Sequence, residues 1–147
     1  MTTPPKIRFI DWYDQKPVTE RSSRAAPKER DRLWYLASPY TKRATGDGDA
    51  QDEGLRRAYY EAVGACAALT RQGLTVISPI LHSHVVGVAA KIDLRDGKFW
   101  EAVNRPLLEA AGGLLILPVE GWLQSDGMAH EIKAFTERAR PIYILSK

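Results

Sequence analysis

Four short apolar runs constrain this chain more than any other feature: LWYLAS (33–38), LTVIS (74–78), GLLILPV (113–119) and PIYIL (141–145). None alternates apolar with polar residues, as a strand with one wet face would. Short runs that are apolar throughout read as strands covered on both faces. The segments between them carry helical periodicity. From about Gln51, the residues Leu55, Tyr59, Ala62, Cys66 and Leu69 repeat in steps of four and three, and Gly73 is placed to end that helix. A second helix is expected over Gly97–Ala111, where Phe99, Trp100, Val103, Leu107 and Leu108 are apolar, and a third over 127–139. ILHSHVVGVAAKI (80–92) reads as either a short helix or an irregular loop. The order strand–helix–strand–helix–strand–helix–strand predicts an α/β fold, a three-layer sandwich around a mostly parallel sheet of four to five strands.

Charge divides the chain. Its 147 residues carry a net +3. Residues 1–32 hold eight Lys/Arg against five Asp/Glu, and residues 33–147 hold thirteen of each. The expected organisation is therefore a basic N-terminal arm or linker over 1–32 and an α/β domain over 33–147, whose neutral body is not a nucleic-acid-binding surface. Within the arm, ERSSRAAPKERDR reads as solvated, whereas IRFIDWY (7–13) suits an added edge strand, a subunit contact or a frayed tail. No apolar stretch reaches the length of a membrane span, and no signal-peptide segment stands at the N-terminus. The single cysteine, Cys66, lies on an apolar helix face. A cytoplasmic location is the expectation.

In a flavodoxin- or Rossmann-like sheet, ligands bind beyond the carboxyl ends of the strands. The residues placed there are Ser38-Pro39-Tyr40-Thr41, Ser78-Pro79 with His82 and His84, and Glu120-Gly121-Trp122 leading to Ser125-Asp126-Gly127. The chain has no GxGxxG and no GxxxxGK[ST], and Gly46 and Gly48 sit in an acidic stretch that reads as a lid or a plain loop. His82-x-His84 raises a metal reading, for which no third ligand presents itself. Glu131 stands out. In GWLQSDGMAHEIKAF (121–135), Met128, Ile132, Phe135 and Ala139 define the buried stripe of a helix opened by Ser125-Asp126-Gly127. Glu131 lies about 60° from the centre of that stripe, at roughly 100° per residue. Its neighbours three and four positions away are Gly127, Met128, Ala134 and Phe135, none of them charged. Neither a capping box nor a local ion pair accounts for it. The helix dipole would favour it, and a pocket at the sheet edge would use it.

YLASPYT, ISPILHSH and GWLQSDGMAHEIKAF, in that order over roughly residues 33–147, resemble the nucleoside 2-deoxyribosyltransferase-like superfamily. The resemblance is to small members with Gly-Trp ahead of a Ser-x-Gly-x-x-x-Glu segment, including nucleoside 5′-monophosphate N-glycosidases. It implies cleavage of an N-glycosidic bond, with Glu131 as the nucleophile that attacks the anomeric carbon or stabilises the cationic sugar. It also implies that Ser125 contacts a 5′-phosphate, a position where an N-cap role is the plainer alternative. Asp126 beside it would repel a phosphate unless turned away. Tyr40 falls in the region of the family's first-loop aromatic, suited to orienting Glu131 or packing on the sugar, and Trp122 is placed to stack on a base or to cover the sheet edge. His82 and His84 would touch phosphate or base. No cofactor and no metal is implied, the partner is a small-molecule nucleotide or nucleoside, and a homo-oligomer is expected because such sites borrow residues from a neighbouring subunit.

Two positions depart from the family pattern. Where members carry an Asp four residues after a Trp, this chain has Trp100 and Asn104, and an Asp common just before the central strand is Gly112 here. An amide hydrogen-bonds but gives up no proton as a general acid. Asp93, Asp96 or Asp126 would have to substitute, or the leaving base would have to depart unprotonated. The lead expectation is hydrolysis of a nucleoside 5′-monophosphate or related nucleotide with release of free base, Asn104 and Tyr40 acting as positioning groups. A deoxyribosyltransferase, which needs an acceptor base, is the alternative. The third reading is a non-catalytic nucleotide-binding or sensing module.

Overall fold

All four apolar runs form strands, and a fifth strand comes from the N-terminal segment. The computed structural model describes residues 7–13, 15–16, 32–44, 46 and 48–146, so residues 17–31 of the expected arm lie outside the described residues. In chain order the elements are β1 (Arg8–Asp11), β2 (Leu33–Ala37), α1 (Asp49–Arg71), β3 (Thr75–Ile77), α2 (Pro79–Ala90), α3 (Gly97–Ala110), β4 (Gly113–Ile116), α4 (Asp126–Glu137) and β5 (Ile142–Ser146). Single turns of 3-10 helix occupy Thr41–Arg43 and Trp122–Gln124. The sheet order is β1-β5-β4-β2-β3, with β2, β3, β4 and β5 parallel and β1 antiparallel to β5.

The protein is a three-layer α/β sandwich, and the two-residue period of the strands divides its core. Trp34, Leu36, Leu115, Tyr143 and Leu145 pack with Ala65, Cys66 and Leu69 of α1 on one side of the sheet. Tyr35, Ala37, Leu114, Ile116 and Ile142 pack with Leu108 of α3 and with Met128 and Phe135 of α4 on the other. Every residue of β4 is buried, which is why its sequence is apolar without alternation. Among the described residues, no helix is long and apolar enough to cross a membrane.

Several boundaries differ from the sequence expectation, each for a local reason. IRFIDWY resolves as the edge strand β1, with Arg8–Asp11 paired to Tyr143–Ser146 and Phe9 packed on the core. The ambiguous segment after β3 is helical. Pro79 occupies its first turn, where a missing N–H costs nothing, and its outer face is apolar, with Val85, Val86 and Val88 exposed. The strand expected to reach Val119 ends at Ile116, two residues before Pro118, which has no N–H for the ladder. α4 stops at Glu137: Ala139 turns to φ 53 and Arg140 N–H donates to Phe135 O at 3.0 Å, a Schellman-like closure. Ala139 is therefore outside the helix and exposed, not part of its buried stripe. α1 ends as expected, with Gly73 at φ +91.

The loop after β2 is tied down from two directions. The Arg43 guanidinium lies 3.1 Å from a Glu61 carboxylate oxygen on α1 and donates to the Glu120 carbonyl at 3.0 Å, joining the loops that follow β2 and β4. α1 passes so close that a Cβ built on Gly54 would collide with the Arg43 backbone carbonyl. An exposed helical Gly→Ala change normally stabilises by about 0.5–1 kcal/mol. At this position the sign should reverse: Gly54→Ala is expected to destabilise by about 1–3 kcal/mol in urea unfolding. A stabilised variant would contradict the close approach.

Candidate functional site

The neighbouring strands β2 and β4 send their chains to opposite faces, β2 into α1 and β4 into α4. That divergence is the topological switch point, and a crevice opens there between the loops and helix starts. A cavity of about 830 Å³ lies at this end, lined by Tyr35, Ser38, Tyr40 and Thr41 from β2 and its loop, and by Pro79, Ile80 and Ser83 from α2. Trp100, Glu101 and Asn104 of α3 and Ser125, Asp126, Gly127, Met128 and Glu131 at the start of α4 complete the part used below. The volume suits a nucleotide-sized ligand.

The phase of α4 aims Glu131 at this space. Ser125 caps the helix, its hydroxyl accepting from Met128 N–H at 3.2 Å. Met128 and Phe135 then point into the core, and the flank beside them, Glu131 and Ala134, becomes cavity wall. Glu131 is half-buried. Its partner comes from the strand: the Tyr35 hydroxyl donates a hydrogen bond to the Glu131 carboxylate. Tyr35 itself is buried, its ring against Phe135 with centroids 6.2 Å apart. Burial pushes the Glu131 carboxyl up to about 7, Tyr35's hydrogen bond pulls it down, and the Glu101 charge raises it. Burial first, and then the charge and hydrogen bond of Glu131, hold the Tyr35 phenol far above its ordinary range, so it remains a donor.

Other expected site residues divide into those the cavity gathers and those it leaves out. Ser38, Tyr40, Asn104, Ser125, Asp126, Gly127 and Glu131 line it; Pro39, His82, His84 and Trp122 do not. Pro39 is fully buried, Trp122 packs against the core beside α4, and His82 is exposed. His84 reaches the site indirectly. Its Nδ1 is 2.6 Å from the Tyr40 hydroxyl, and its ring stacks on Tyr59 at 4.6 Å. Burial, then the Arg56 charge, lowers the His84 pKa, which favours a neutral ring accepting at Nδ1. Tyr40 is thereby oriented by His84, while Tyr35 is the tyrosine bonded to Glu131.

Two site residues escaped the sequence reading. Tyr35 sits inside an apolar strand and looks like core; the signal was its place two residues before Ala37, on the face that meets α4. Ser83 lies between His82 and His84, yet it is the one of the three that lines the cavity. Asn104 Nδ2 donates to the Ser83 hydroxyl at 3.2 Å, so the amide is held by a neutral partner. Asp93 accepts from the Arg95 N–H and Asp96 caps α3 through the Phe99 N–H, and neither lines the cavity. Across the opening, His130 Nε2 is 3.3 Å from a Glu101 oxygen. Among the described residues, no group of three or more His, Cys, Asp or Glu is disposed to hold a metal ion. Cys66 is buried on the far side of the sheet, its thiol pushed up to about 11 by burial.

One cavity wall thus gathers a neutral amide–hydroxyl pair, a desolvated carboxylate with its phenol, and first-turn residues of α2 and α4. A family model described as a domain of unknown function (DUF1937) matches residues 32–147. No curated protein matches the chain.

The raised carboxyl has a stability consequence with a definite sign. With a folded pKa near 7 against 4.5 unfolded, Glu131 contributes fully at pH below 4.5, and its contribution is lost as pH rises through 7. Glu131→Gln, which mimics the protonated form, is therefore expected to match wild type near pH 4. Near pH 8.5 it should exceed wild type by about 3 kcal/mol in denaturant unfolding. Equal stability at both pH values would contradict a desolvated carboxylate.

Proposed function

The chain belongs to the DUF1937 family, a domain of unknown function, and we propose that this member hydrolyses the N-glycosidic bond of a nucleoside 5′-monophosphate or related nucleotide. The observation that carries this reading is Glu131, a carboxylate on the wall of a nucleotide-sized cavity, held by the Tyr35 phenol at the switch point. The motifs that resemble the nucleoside 2-deoxyribosyltransferase-like superfamily support it, because Glu131 is the residue the resemblance assigns to attack.

The chemistry follows from the charge that develops. As the C1′–N bond lengthens, the sugar becomes oxocarbenium-like, and an ionised carboxylate beside C1′ lowers that barrier. A Glu131 oxygen bonds to C1′ while the C1′–N electron pair leaves with the base, which takes a proton. Water then attacks C1′, releasing Glu131 and the sugar phosphate. Tyr35 keeps the carboxylate oriented and more acidic than burial alone would leave it. Ser125 and the first turn of α4 contact the 5′-phosphate. Asn104, held by Ser83, hydrogen-bonds the base without protonating it, so a base that departs unassisted, or one protonated from Asp126 or solvent, suits this cavity best.

The Asn104–Ser83 pair also favours a second reading, a nucleotide-binding module without turnover. A deoxyribosyltransferase would differ from both by making a new nucleoside when free base is added.

Chromatographic assay of nucleotides and nucleosides for released base separates the readings. Wild type is expected to release base from at least one 5′-monophosphate, and Glu131→Ala to lose at least ~10³-fold in kcat while still binding. Binding by both proteins with no base release by wild type would leave the binding-module reading in its place. For an active wild type, the rate should rise with pH through about 7 as Glu131 ionises. Tyr35→Phe removes a hydrogen bond that lowers the Glu131 pKa, so its profile should move to higher pH. An unmoved or down-shifted profile would remove Tyr35 from this role.

A further inference from the structure

Two helices of twelve residues open on the cavity, and their first turns differ. In α4 the capping hydroxyl of Ser125 is engaged by Met128 N–H, and Asp126 adds a negative charge to the first turn. In α2 neither holds. Ser78 occupies the capping position but its side chain makes no cap bond, and no acidic residue stands in the first turn. Pro79 has no N–H, so the N–H groups of Ile80 and Leu81 are the first free donors of the helix. Pro79 and Ile80 both line the cavity.

Two buried hydroxyls accompany those donors. Ser38, 9% exposed and on the cavity wall, keeps its Oγ buried without a hydrogen-bond partner. Ser78, 2% exposed, does the same one residue before Pro79. Both follow neighbouring parallel strands at one end of the sheet, since Tyr35 pairs with Ile77. Buried polar groups are rarely left unpaired, and unpaired ones mark a missing ligand or water. Backbone N–H groups at the positive end of a helix dipole, joined by hydroxyl donors and free of nearby first-turn acids, match a tetrahedral oxyanion.

We propose that the N-terminus of α2, with the hydroxyls of Ser38 and Ser78, is a binding site for a phosphate group, either free or carried by a nucleotide. The site is distinct from the Ser125 contact on α4, so a nucleotide held there by its single 5′-phosphate is a second molecule, not the one whose phosphate Ser125 contacts. It goes beyond the glycosidase reading and survives its failure, because occupancy is read without turnover.

The test is an NMR titration of the full chain, following backbone amides, with inorganic phosphate in one arm and the four deoxynucleoside 5′-monophosphates in the other. Saturable shifts at the Ile80 and Leu81 amides are expected in at least one arm. Saturation by phosphate alone identifies a free anion as ligand, and saturation only by nucleotides identifies a carried one. Ser38→Ala should weaken the affinity at least ~10-fold, whereas Ser125→Ala should leave the shifts at Ile80 and Leu81 in place in the inorganic-phosphate arm. Ser78→Ala provides a second variant should Ser38→Ala misfold, and the wild-type shifts decide if both do. Shifts confined to Gly127 and Met128, or only linear, non-saturating drift at Ile80 and Leu81 in both arms, would overturn the proposal.

Discussion

The Tyr35 phenol set against the Glu131 carboxylate is the contact on which the candidate site depends. It spans two layers, from the centre of the sheet to α4. Each end is fixed by a separate local rule. The two-residue period of β2 sends Trp34 and Leu36 toward α1 and leaves Tyr35 and Ala37 facing α4. The Ser125 cap sets where α4 starts, and 3.6-residue geometry then places Glu131 beside the buried Met128 and Phe135. A one-residue slip in either element would part the pair, so sheet register and helix cap together determine whether a carboxylate meets the cavity.

The pair also explains how a carboxylate is tolerated there. Desolvation lifts its pKa toward neutrality, and the phenol offsets part of that cost without supplying a counter-charge. A lysine or arginine in Tyr35's place would hold the carboxylate ionised but would neutralise the charge that the sugar cation of the proposed reaction needs. A neutral donor leaves that charge available. Asn104, on the wall of the same cavity, is likewise held by a neutral partner, Ser83, where a carboxyl would add a further negative charge to that of Glu101. Glu101, also on the cavity wall, is the charge that raises the Glu131 pKa, whereas Tyr35, Asn104 and Ser83 are neutral.

The layered α/β architecture was legible because double burial of strands forces uninterrupted apolar runs, and crossover helices leave clean stripes such as Leu55 to Leu69. Glu131 was legible because a carboxylate flanking a buried stripe had no charged neighbour within four residues. Its partner was hidden, since a tyrosine in a buried strand reads as packing until the neighbouring helix is placed against it. Ser83 was hidden for a related reason: α2 has no charged face to give its phase, so nothing in the sequence told the inward serine from its flanking histidines. The short β4 and the early end of α4 show that Pro118 and a non-glycine residue at positive φ outweigh hydrophobic pattern at element ends. Sequence places elements by what they bury, and it is weakest where a contact joins elements far apart in the chain.

In the proposed reaction Glu131 faces the anomeric carbon of a bound nucleotide. The most direct measurement is the distance between them in a crystal structure of the Tyr35-containing wild type soaked with a non-hydrolysable nucleoside 5′-monophosphate analogue. A Glu131 oxygen is expected within about 3.5 Å of C1′, on the face opposite the base and still hydrogen-bonded to Tyr35. A nucleotide bound with its sugar away from Glu131, or a carboxylate screened from it by protein atoms, would contradict the claim.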